Sequence, residues 1–145
     1  MVVSTSFAAA ATRVSAVGNR TVSRMREASQ TTTRTDAGRK AGRRVLKLRG
    51  EVDAVVCAAD VLAIGLVTTL NRAGVAVPGE VAVTAFDDTA ILEVLDPPLT
   101  SIRHPLDAMA DHAVALLHAD ADEREERVER FAPELVVRAS SGTGR

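Results

Sequence analysis

Two consecutive carboxylates, Asp87 and Asp88, directly follow an apolar run at residues 81–86 that contains two valines. A run of this kind is typical of a strand buried on both faces of a parallel sheet. In open α/β sheets, ligands bind just beyond the carboxyl ends of the strands. The pair of aspartates therefore predicts a small-molecule site at this end of the sheet.

The two carboxylates permit two interpretations. Adjacent carboxylates can serve as a general acid and base when their pKa values are driven apart. Neighbouring side chains on an extended backbone, however, point in opposite directions. We therefore expect one aspartate to face a ligand and the other to cap the segment that follows.

Other reactive side chains do not combine into a known catalytic or metal-binding pattern. His104, His112 and His118 are spaced by 8 and 6 residues, which does not place them on one helix face, and Cys57 stands alone. The sequence contains no Cys-x-x-Cys, no His-Glu-x-x-His, no phosphate-binding glycine loop and no Gly-x-Ser-x-Gly. We expect no metal, no cofactor and no enzymatic activity.

Composition is that of an ordinary globular domain. The 145 residues are 46% hydrophobic and 26% charged, and they include three Phe but no Trp or Tyr. The scarcity of aromatic rings means that a sugar or base site here would be atypical or incomplete. A single cysteine, no apolar stretch of about 20 residues and no signal peptide together predict a cytoplasmic protein.

Charge is divided unequally along the chain. Residues 1–50 carry eleven Lys and Arg against two acidic residues, whereas residues 51–145 carry seven Arg against seventeen acidic residues. This asymmetry can indicate a nucleic-acid-binding arm. A basic helical face beside an acidic body would produce the same asymmetry, and we favour this second interpretation.

The first third of the sequence predicts one clear helix. Residues 1–34 form a poorly defined, basic segment rich in Ser, Thr and Ala, with a weak helix over 20–28. Apolar residues then recur at helical spacing over 36–48, with Asp36 as the N-cap. The outer face of this helix is basic, which suits either phosphate binding or simple solvation, the second being favoured.

Strands and helices alternate over the remaining residues. A buried strand at 53–58 precedes a helix over 61–73 with Asp60 as its N-cap and Gly74 as its stop. This helix is apolar on more than one side, so one face can meet a partner subunit. The further elements are the strand at 81–86, a short helix at 90–95, a strand at 99–103, an amphipathic helix after Pro105, an acidic loop at 120–130, a strand at 134–137 and a tail from 140 to 145. This order predicts an α/β fold with a mainly parallel sheet and flanking helices.

Short motifs in a fixed order give the sequence a family resemblance. The most specific is Pro97-Pro98-Leu99-Thr100-Ser101-Ile102-Arg103. The others are Asp36-Ala37-Gly38, Asp53-Ala54-Val55, Ala59-Asp60, Ala63-Ile64-Gly65, Ala73-Gly74 with Val77-Pro78, Phe86-Asp87-Asp88, and Glu134-Leu135-Val136-Val137-Arg138 with Ser140 and Ser141. Through these motifs, residues 35–143 resemble the effector-binding part of the LacI/GalR family of bacterial transcription regulators.

The resemblance implies a fold, a ligand and a set of site residues. It implies one lobe of a periplasmic-binding-protein-like fold that binds a sugar or another small effector. Asp87 matches the aspartate that contacts the effector. The position of Ala59 also contacts the ligand in several family members, and its neighbour Asp60 is expected at the same ligand site. Family members usually have Asn in place of Ala59, so one polar contact is lost, and His104 stands where Gln is common.

The resemblance also implies partners. Dimer contacts of the family fall near Ile64 and Leu95, so we expect a homodimer. Thr21, Ser23 and Arg24 lie in a Thr-Val-Ser-Arg segment that echoes a family recognition helix, although the surrounding helix-turn-helix pattern is not found. DNA is therefore expected as a partner only with an intact DNA-binding domain, and no membrane is expected.

The sequence thus supports one leading interpretation and two others. In the first, the chain is the effector-binding part of a LacI-type regulator, truncated or internally deleted, in which the amphipathic helix after Pro105 lacks its usual cover and promotes association. In the second, it is a stand-alone solute-binding or dimerisation module without a DNA function. In the third, it is a degenerate product without activity.

Overall fold

Helices and strands alternate along the part of the chain that the computed structural model describes, which is residues 12–13, 24–25, 34–118 and 129–142. The elements are β1 (Thr12–Arg13), β2 (Arg24–Met25), α1 (Arg34–Lys47), β3 (Ala54–Val56), α2 (Asp60–Arg72), β4 (Ala82–Thr84), a 3-10 turn (Ala90–Glu93), β5 (Ser101–Arg103), α3 (Leu106–His118), β6 (Glu134–Val136) and a second 3-10 turn (Ala139–Ser141).

The central strands run parallel, as predicted. β3 pairs with β4 in parallel register, with Val55 opposite Val83. A parallel bridge between Thr84 and Thr100 then connects β4 to the segment that begins β5. β6 pairs with β5 in the antiparallel direction, with Ile102 opposite Leu135. The predicted α/β class with a mainly parallel sheet is therefore confirmed, and the last strand reverses direction.

The core lies between this sheet and α2. Val55 and Val83 are almost completely buried at the centres of their strands. The predicted burial of α2 is also found, since Ala63, Leu66 and Leu70 have at most 1% of their surface exposed. Further apolar side chains fill the same core: Val45, Val52, Val67, Val75, Val81, Ala85, Leu92 and Leu99.

Glycines bring α1 and α2 into close backbone contact. A Cβ at Gly38 would overlap the carbonyl oxygen of Leu62, and a Cβ at Gly65 would overlap the carbonyl oxygen of Thr35. Helices packed through ordinary side chains have axes about 8–10 Å apart. Only glycine, which lacks a Cβ, allows the backbones of α1 and α2 to contact each other at these two positions. The apolar face of α1 therefore packs on α2, and its basic face points away.

Two predicted helix caps are wrong. Asp36 lies inside the first turn of α1, which begins at Arg34, and its Oδ1 accepts a hydrogen bond of 2.9 Å from Arg39 Nη1. Asp60 is the first residue of α2, and the N-cap position belongs to Ala59, which has no side-chain cap. In both places an acidic residue in the first turn suits the positive end of the helix dipole as well as a cap does.

The weak helix predicted over 20–28 is also wrong where the structure describes it. Arg24–Met25 is an extended pair that lies antiparallel to Thr12–Arg13. A helical turn this short has a high nucleation cost, which weak propensity does not overcome. Arg24 therefore stands in β2, while Thr21 and Ser23 lie outside the described residues.

The predicted tail from residue 140 is part of the folded structure. Ala139–Ser141 forms a 3-10 turn, and Ser140 is fully buried. Its hydroxyl donates to the carbonyl of Val83 at 2.6 Å and accepts from the amide of Thr100 at 2.9 Å. Ser140 thus joins β4 to the start of β5 by supplying a donor and an acceptor at one point.

The amphipathic helix after Pro105 is uncovered, as predicted. None of the residues of α3 is buried, and Leu106 and Val114 expose 63% and 53% of their surfaces. The ring of Phe131 contacts His112 edge-on, with centroids 5.7 Å apart. None of the helices in the described ranges is both long and apolar enough to span a membrane.

Candidate functional site

The ends of β4 and β5 come together at one edge of the sheet. The amide of Asp87 donates to the carbonyl of Ile102 at 3.1 Å, which continues the strand pairing beyond Thr84. Just past these strands, the rings of Phe86 and His104 lie with centroids 4.9 Å apart. Asp87, Phe86 and His104 therefore share the strand-end edge where the sequence predicted a ligand.

The backbone turns sharply at the two aspartates. Asp87 has φ of 111° and Asp88 has φ of 55°, so both are in the left-handed region. Non-glycine residues adopt this region at a cost of order 1 kcal/mol, and aspartate tolerates it better than most. The expectation of an extended backbone with alternating side chains is therefore wrong at this position.

Asp88 is held by two arginines. Its Oδ1 accepts from Arg138 Nη1 at 2.5 Å, and its Oδ2 accepts from Arg103 Nε at 2.7 Å. The side chain of Asp88 is only 1% exposed. Arg138 also donates to the carbonyl of Leu99 and to the Glu93 carboxylate. The predicted capping role of an aspartate of this pair is therefore wrong for Asp88, which anchors an ion-pair network instead.

This network fixes the protonation state of Asp88. Hydrogen bonding from Arg138 lowers the pKa of the Asp88 carboxyl, and Arg103 lowers it further against the opposing effect of burial. The same bond with Asp88 raises the pKa of Arg138. Both groups stay charged near neutral pH, so Asp88 is unsuited to act as a general acid.

Asp60, and not an aspartate of the pair, accepts hydrogen bonds at the start of the segment that follows. Its Oδ2 accepts hydrogen bonds from both the amide and the hydroxyl of Thr89 at 2.7 Å. Its Oδ1 accepts a longer bond of 3.3 Å from Ser101, and the residue is 3% exposed. Ser101 in turn accepts from the amide of Asp88 at 3.1 Å. Asp60 therefore connects the start of α2 to the loop that follows β4.

The predicted ligand residues differ in their surroundings. Asp87 is exposed, whereas Asp60 is buried with its carboxylate oxygens engaged inside the protein. Ala59 is half-buried at the start of α2, and its carbonyl accepts from the amides of Leu62 and Ala63. Only Asp87 of the three thus presents an exposed carboxylate at the strand ends.

Cys57 is a core residue at the end of β3. It is 3% exposed, and burial raises the pKa of its thiol to about 12, with a further contribution from the charge of Asp60. A thiol with so high a pKa is a poor nucleophile. Within the described residues, no group of three or more His, Cys, Asp and Glu side chains is arranged to hold a metal ion.

The arginines of the network were missed by sequence reasoning. Arg103 ends β5, and Arg138 lies two residues after the end of β6. Each arginine lies near the end of a strand, and the loop after β4 carries the carboxylates of Asp87 and Asp88. Opposite charges at strand ends could have indicated ion pairs, but the partner of each arginine depends on which strands are neighbours in the sheet.

The predicted dimer residues both pack on the core. Ile64 and Leu95 are partly buried hydrophobic residues in contact with it. Asn71 joins the end of α2 to the residue after Leu95, because its Nδ2 donates to the Asp96 carbonyl at 2.6 Å. Val94, next to Leu95, is 76% exposed. Val94 therefore places an exposed apolar side chain beside Leu95, while Ile64 and Leu95 themselves pack on the core.

Comparison with known sequences identifies the domain. The pattern of the periplasmic binding protein-like domain matches residues 4–141. The regulator MalR of Streptomyces coelicolor is 39% identical over 92 residues, which is 62% of this chain and 27% of that protein. A lactose operon repressor sequence from Rhizobium radiobacter is 34% identical over 107 residues, 73% of this chain and 95% of that sequence.

Solved structures agree with this assignment. A LacI-family regulator from Sanguibacter keddieii superposes with a TM-score of 0.68 at 35% identity, covering 78% of this chain and 44% of that one. A LacI-family regulator from Lactobacillus casei with bound glucose gives a TM-score of 0.63 at 28% identity over 77% of this chain and 41% of that one.

The matched relatives named above are regulators of transcription and not enzymes, in line with the sequence prediction. The chain spans about a quarter of the length of the full-length Streptomyces regulators that it matches. The chain belongs to the LacI/GalR family of transcriptional regulators, within its effector-binding, periplasmic-binding-protein-like domain.

Proposed function

We propose that this chain binds a sugar-like effector through Asp87 and serves as the effector-responsive part of a transcriptional regulator. The observation that carries the proposal is the contrast between two neighbours. Asp88 is immobilised by arginines, while Asp87 is exposed at the ends of β4 and β5. A fixed turn that presents one carboxylate is a suitable acceptor for ligand hydroxyl groups.

The surroundings of Asp87 suit a polyhydroxylated ligand. A carboxylate can accept hydrogen bonds from two hydroxyl groups at once. The imidazole of His104 can donate or accept, and the face of Phe86 offers an apolar surface for the C–H groups of a sugar ring. Two solved relatives support this ligand class, since one contains glucose and another is a complex of CelR with cellobiose.

A ligand panel tests the proposal. Glucose, cellobiose and galactose would be titrated into the full chain and followed by calorimetry and thermal unfolding, since a ligand that binds only the folded state raises the melting temperature. Asp87→Asn should weaken binding at least tenfold, because it removes a charged acceptor. Asp111→Asn, which alters an exposed carboxylate on α3, is the matched control.

The panel has an outcome that would refute the proposal. If Asp87→Asn and Asp111→Asn bind a sugar of the panel equally well, Asp87 is not part of the site. If none of the sugars raises the melting temperature of the unmodified chain at millimolar concentration, the proposed sugar-binding role is wrong.

We further propose that the chain forms a homodimer through Ile64 and Leu95. The support is that Ile64 and Leu95 are only partly buried, and that Ile91 and Val94, close to Leu95 in the sequence, expose 49% and 76% of their surfaces. Val94→Glu should convert a dimer to a monomer in light scattering, because the interface would bury an unpaired charge. Glu51→Gln, at an exposed site in the loop after α1, should leave the mass unchanged.

Sequence-specific control of transcription is proposed for the whole regulator. Recognition of an operator requires base contacts in a groove, which a helix-turn-helix domain supplies. We propose that the effector domain described here takes part in operator recognition in the cytoplasm only when such a domain is joined to it. A fusion to a family DNA-binding domain should repress a reporter and be relieved by the sugar found in the panel.

A further inference from the structure

The outer face of α1 carries a row of cations without matching acids. Its five exposed basic residues are Arg39, Lys40, Arg43, Arg44 and Lys47. Arg39 is neutralised by Asp36 at 2.9 Å. No described acidic side chain forms a salt bridge with the other four. Among the described residues, these four cations therefore have no acidic ion-pair partner, and they lie within about 10 Å along one helix, given a rise of 1.5 Å per residue.

This arrangement costs stability. Like charges four residues apart on a helix repel each other, and among these four cations Lys40 with Arg44 and Arg43 with Lys47 are two such pairs. A helix face that needs only to be solvated can alternate the signs of its charges, as charged helix faces commonly do. The concentration of one sign on this face is suited to a polyanionic partner.

The row is held rigidly. Gly38 and Gly65 bring α1 against α2 in backbone contact, and Val45 anchors α1 in the core. The basic residues face away from that contact and are exposed along the whole helix. Their spacing is therefore set by the helix and not by a flexible loop.

We infer that this face of α1 binds the phosphate backbone of double-stranded nucleic acid without regard to sequence. A duplex carries one negative charge per about 1.7 Å of its axis, so it can neutralise all four cations along the row. Arginine and lysine make most of the phosphate contacts in protein–DNA complexes. This surface is separate from the effector site proposed above and from operator recognition.

A second copy of the chain is the competing occupant. Its acidic residues at 120–129 could also pair with α1, but that segment interleaves Arg124 and Arg127 with its carboxylates. These arginines offset part of the negative charge of the segment, which leaves less of it to attract α1. A phosphate backbone has no positive charges of its own, which favours nucleic acid as the partner.

Fluorescence anisotropy with a labelled 30-base-pair DNA of arbitrary sequence tests the inference. The full chain should bind at 50 mM salt, and its affinity should fall by about 100-fold at 200 mM, as four released counterions predict. A variant with Arg43, Arg44 and Lys47 changed to Gln should lose most of the binding. Its log–log salt slope should fall by about three.

A matched variant controls for total charge. Changing Arg20, Arg24 and Arg26 to Gln removes the same three charges from the first 34 residues and should keep the salt slope. Circular dichroism checks that α1 remains folded. The single variant Arg43→Gln is compared with Arg72→Gln, which removes one charge from α2.

Three outcomes would overturn the inference. The first is no DNA binding by the full chain at 20 mM salt. The second is an unchanged salt slope in the α1 variant, or an equal loss in the variant at residues 20–26. The third is salt-dependent self-association that the α1 variant abolishes while DNA binding persists, which would assign the face to a second copy.

Discussion

Arg138 Nη1 donates to Asp88 Oδ1 across 50 residues of sequence, and this pair fixes the turn that presents Asp87. Arg103 takes the other oxygen of the same carboxylate. Arg103 lies where the chain leaves the sheet for α3, and Arg138 lies between β6 and the turn at Ala139–Ser141. Asp88 therefore connects the strand-end turn to the end of β5 and to the segment that follows β6.

Arg138→Met should destabilise the fold measurably. The substitution leaves Asp88, 1% exposed, with Arg103 alone and leaves the Leu99 carbonyl without its arginine donor. Removing one partner of a buried charge costs about 1–3 kcal/mol when another partner remains. Urea unfolding at neutral pH measures this loss. Arg49→Met, which breaks an exposed pair with Glu80, should cost much less than Arg138→Met, because solvent screens the pair.

Stability should fall in acid partly through Asp88. The arginines lower the pKa of this carboxyl below its ordinary value of 3.8, so the unfolded chain binds the proton first as the pH decreases. The stabilisation is fully present above pH 3.8 and is lost as the pH falls through the lower pKa of the folded state. Urea unfolding from pH 6 to pH 2.5 measures this loss.

Asp88→Asn should remove that contribution to the pH dependence. The stability difference between the unmodified chain and the variant should shrink as the pH falls. Glu80, whose pKa is also lowered, chiefly by a hydrogen bond from the Ala76 amide, changes stability in the same direction. Glu80→Gln therefore measures the part that does not come from Asp88. A constant difference between the chain and Asp88→Asn at every pH would contradict this account.

Gly38→Ala should lower stability although alanine favours helices. The intrinsic gain is about 1 kcal/mol, but the new methyl group would overlap the carbonyl oxygen of Leu62 on α2. Overpacking of this kind costs about 1–3 kcal/mol, and here the overlapped atom belongs to the backbone of α2 and not to a side chain. Thermal unfolding should show a lower midpoint. Lys40→Ala, on the exposed face, should shift it little, and equal midpoints for both would refute the tight helix contact.

The exposed apolar face of α3 should promote association. Leu106, Met109 and Val114 are all exposed, and a contiguous apolar surface of this kind favours self-association. Leu106→Glu should lower the light scattering of concentrated samples and the fluorescence of a bound hydrophobic dye. Ala115→Glu adds the same charge to the opposite side of α3 and serves as the control. Equal effects of both variants would attribute the change to net charge.

The regular elements could be predicted from sequence because burial repeats with a local period. Apolar spacing located α2, and the run at 81–86 located β4. Gly74, predicted as the stop of α2, indeed has φ of 70° just after the helix. These features depend on residues near one another in the chain, so a single sequence contains the whole signal.

The partners of the charged residues could not be predicted in the same way. Asp88 was expected to follow an extended backbone, yet the left-handed turn and two arginines from distant segments decide its position. Asp60 was expected to cap its own helix and instead holds Thr89. Both outcomes depend on which strands are neighbours in the sheet, which local spacing does not encode.

Ser140 gives the sheet a late step in its assembly. Its hydroxyl joins Val83 to Thr100, and it lies 57 residues after the first of these partners. β3, α2 and β4 are contiguous in sequence and can pack before residue 140 is available. The junction between β4 and β5 is complete only when Ser140 has reached both strands, so the strand ends beside Asp87 depend on a contact from a distant part of the chain.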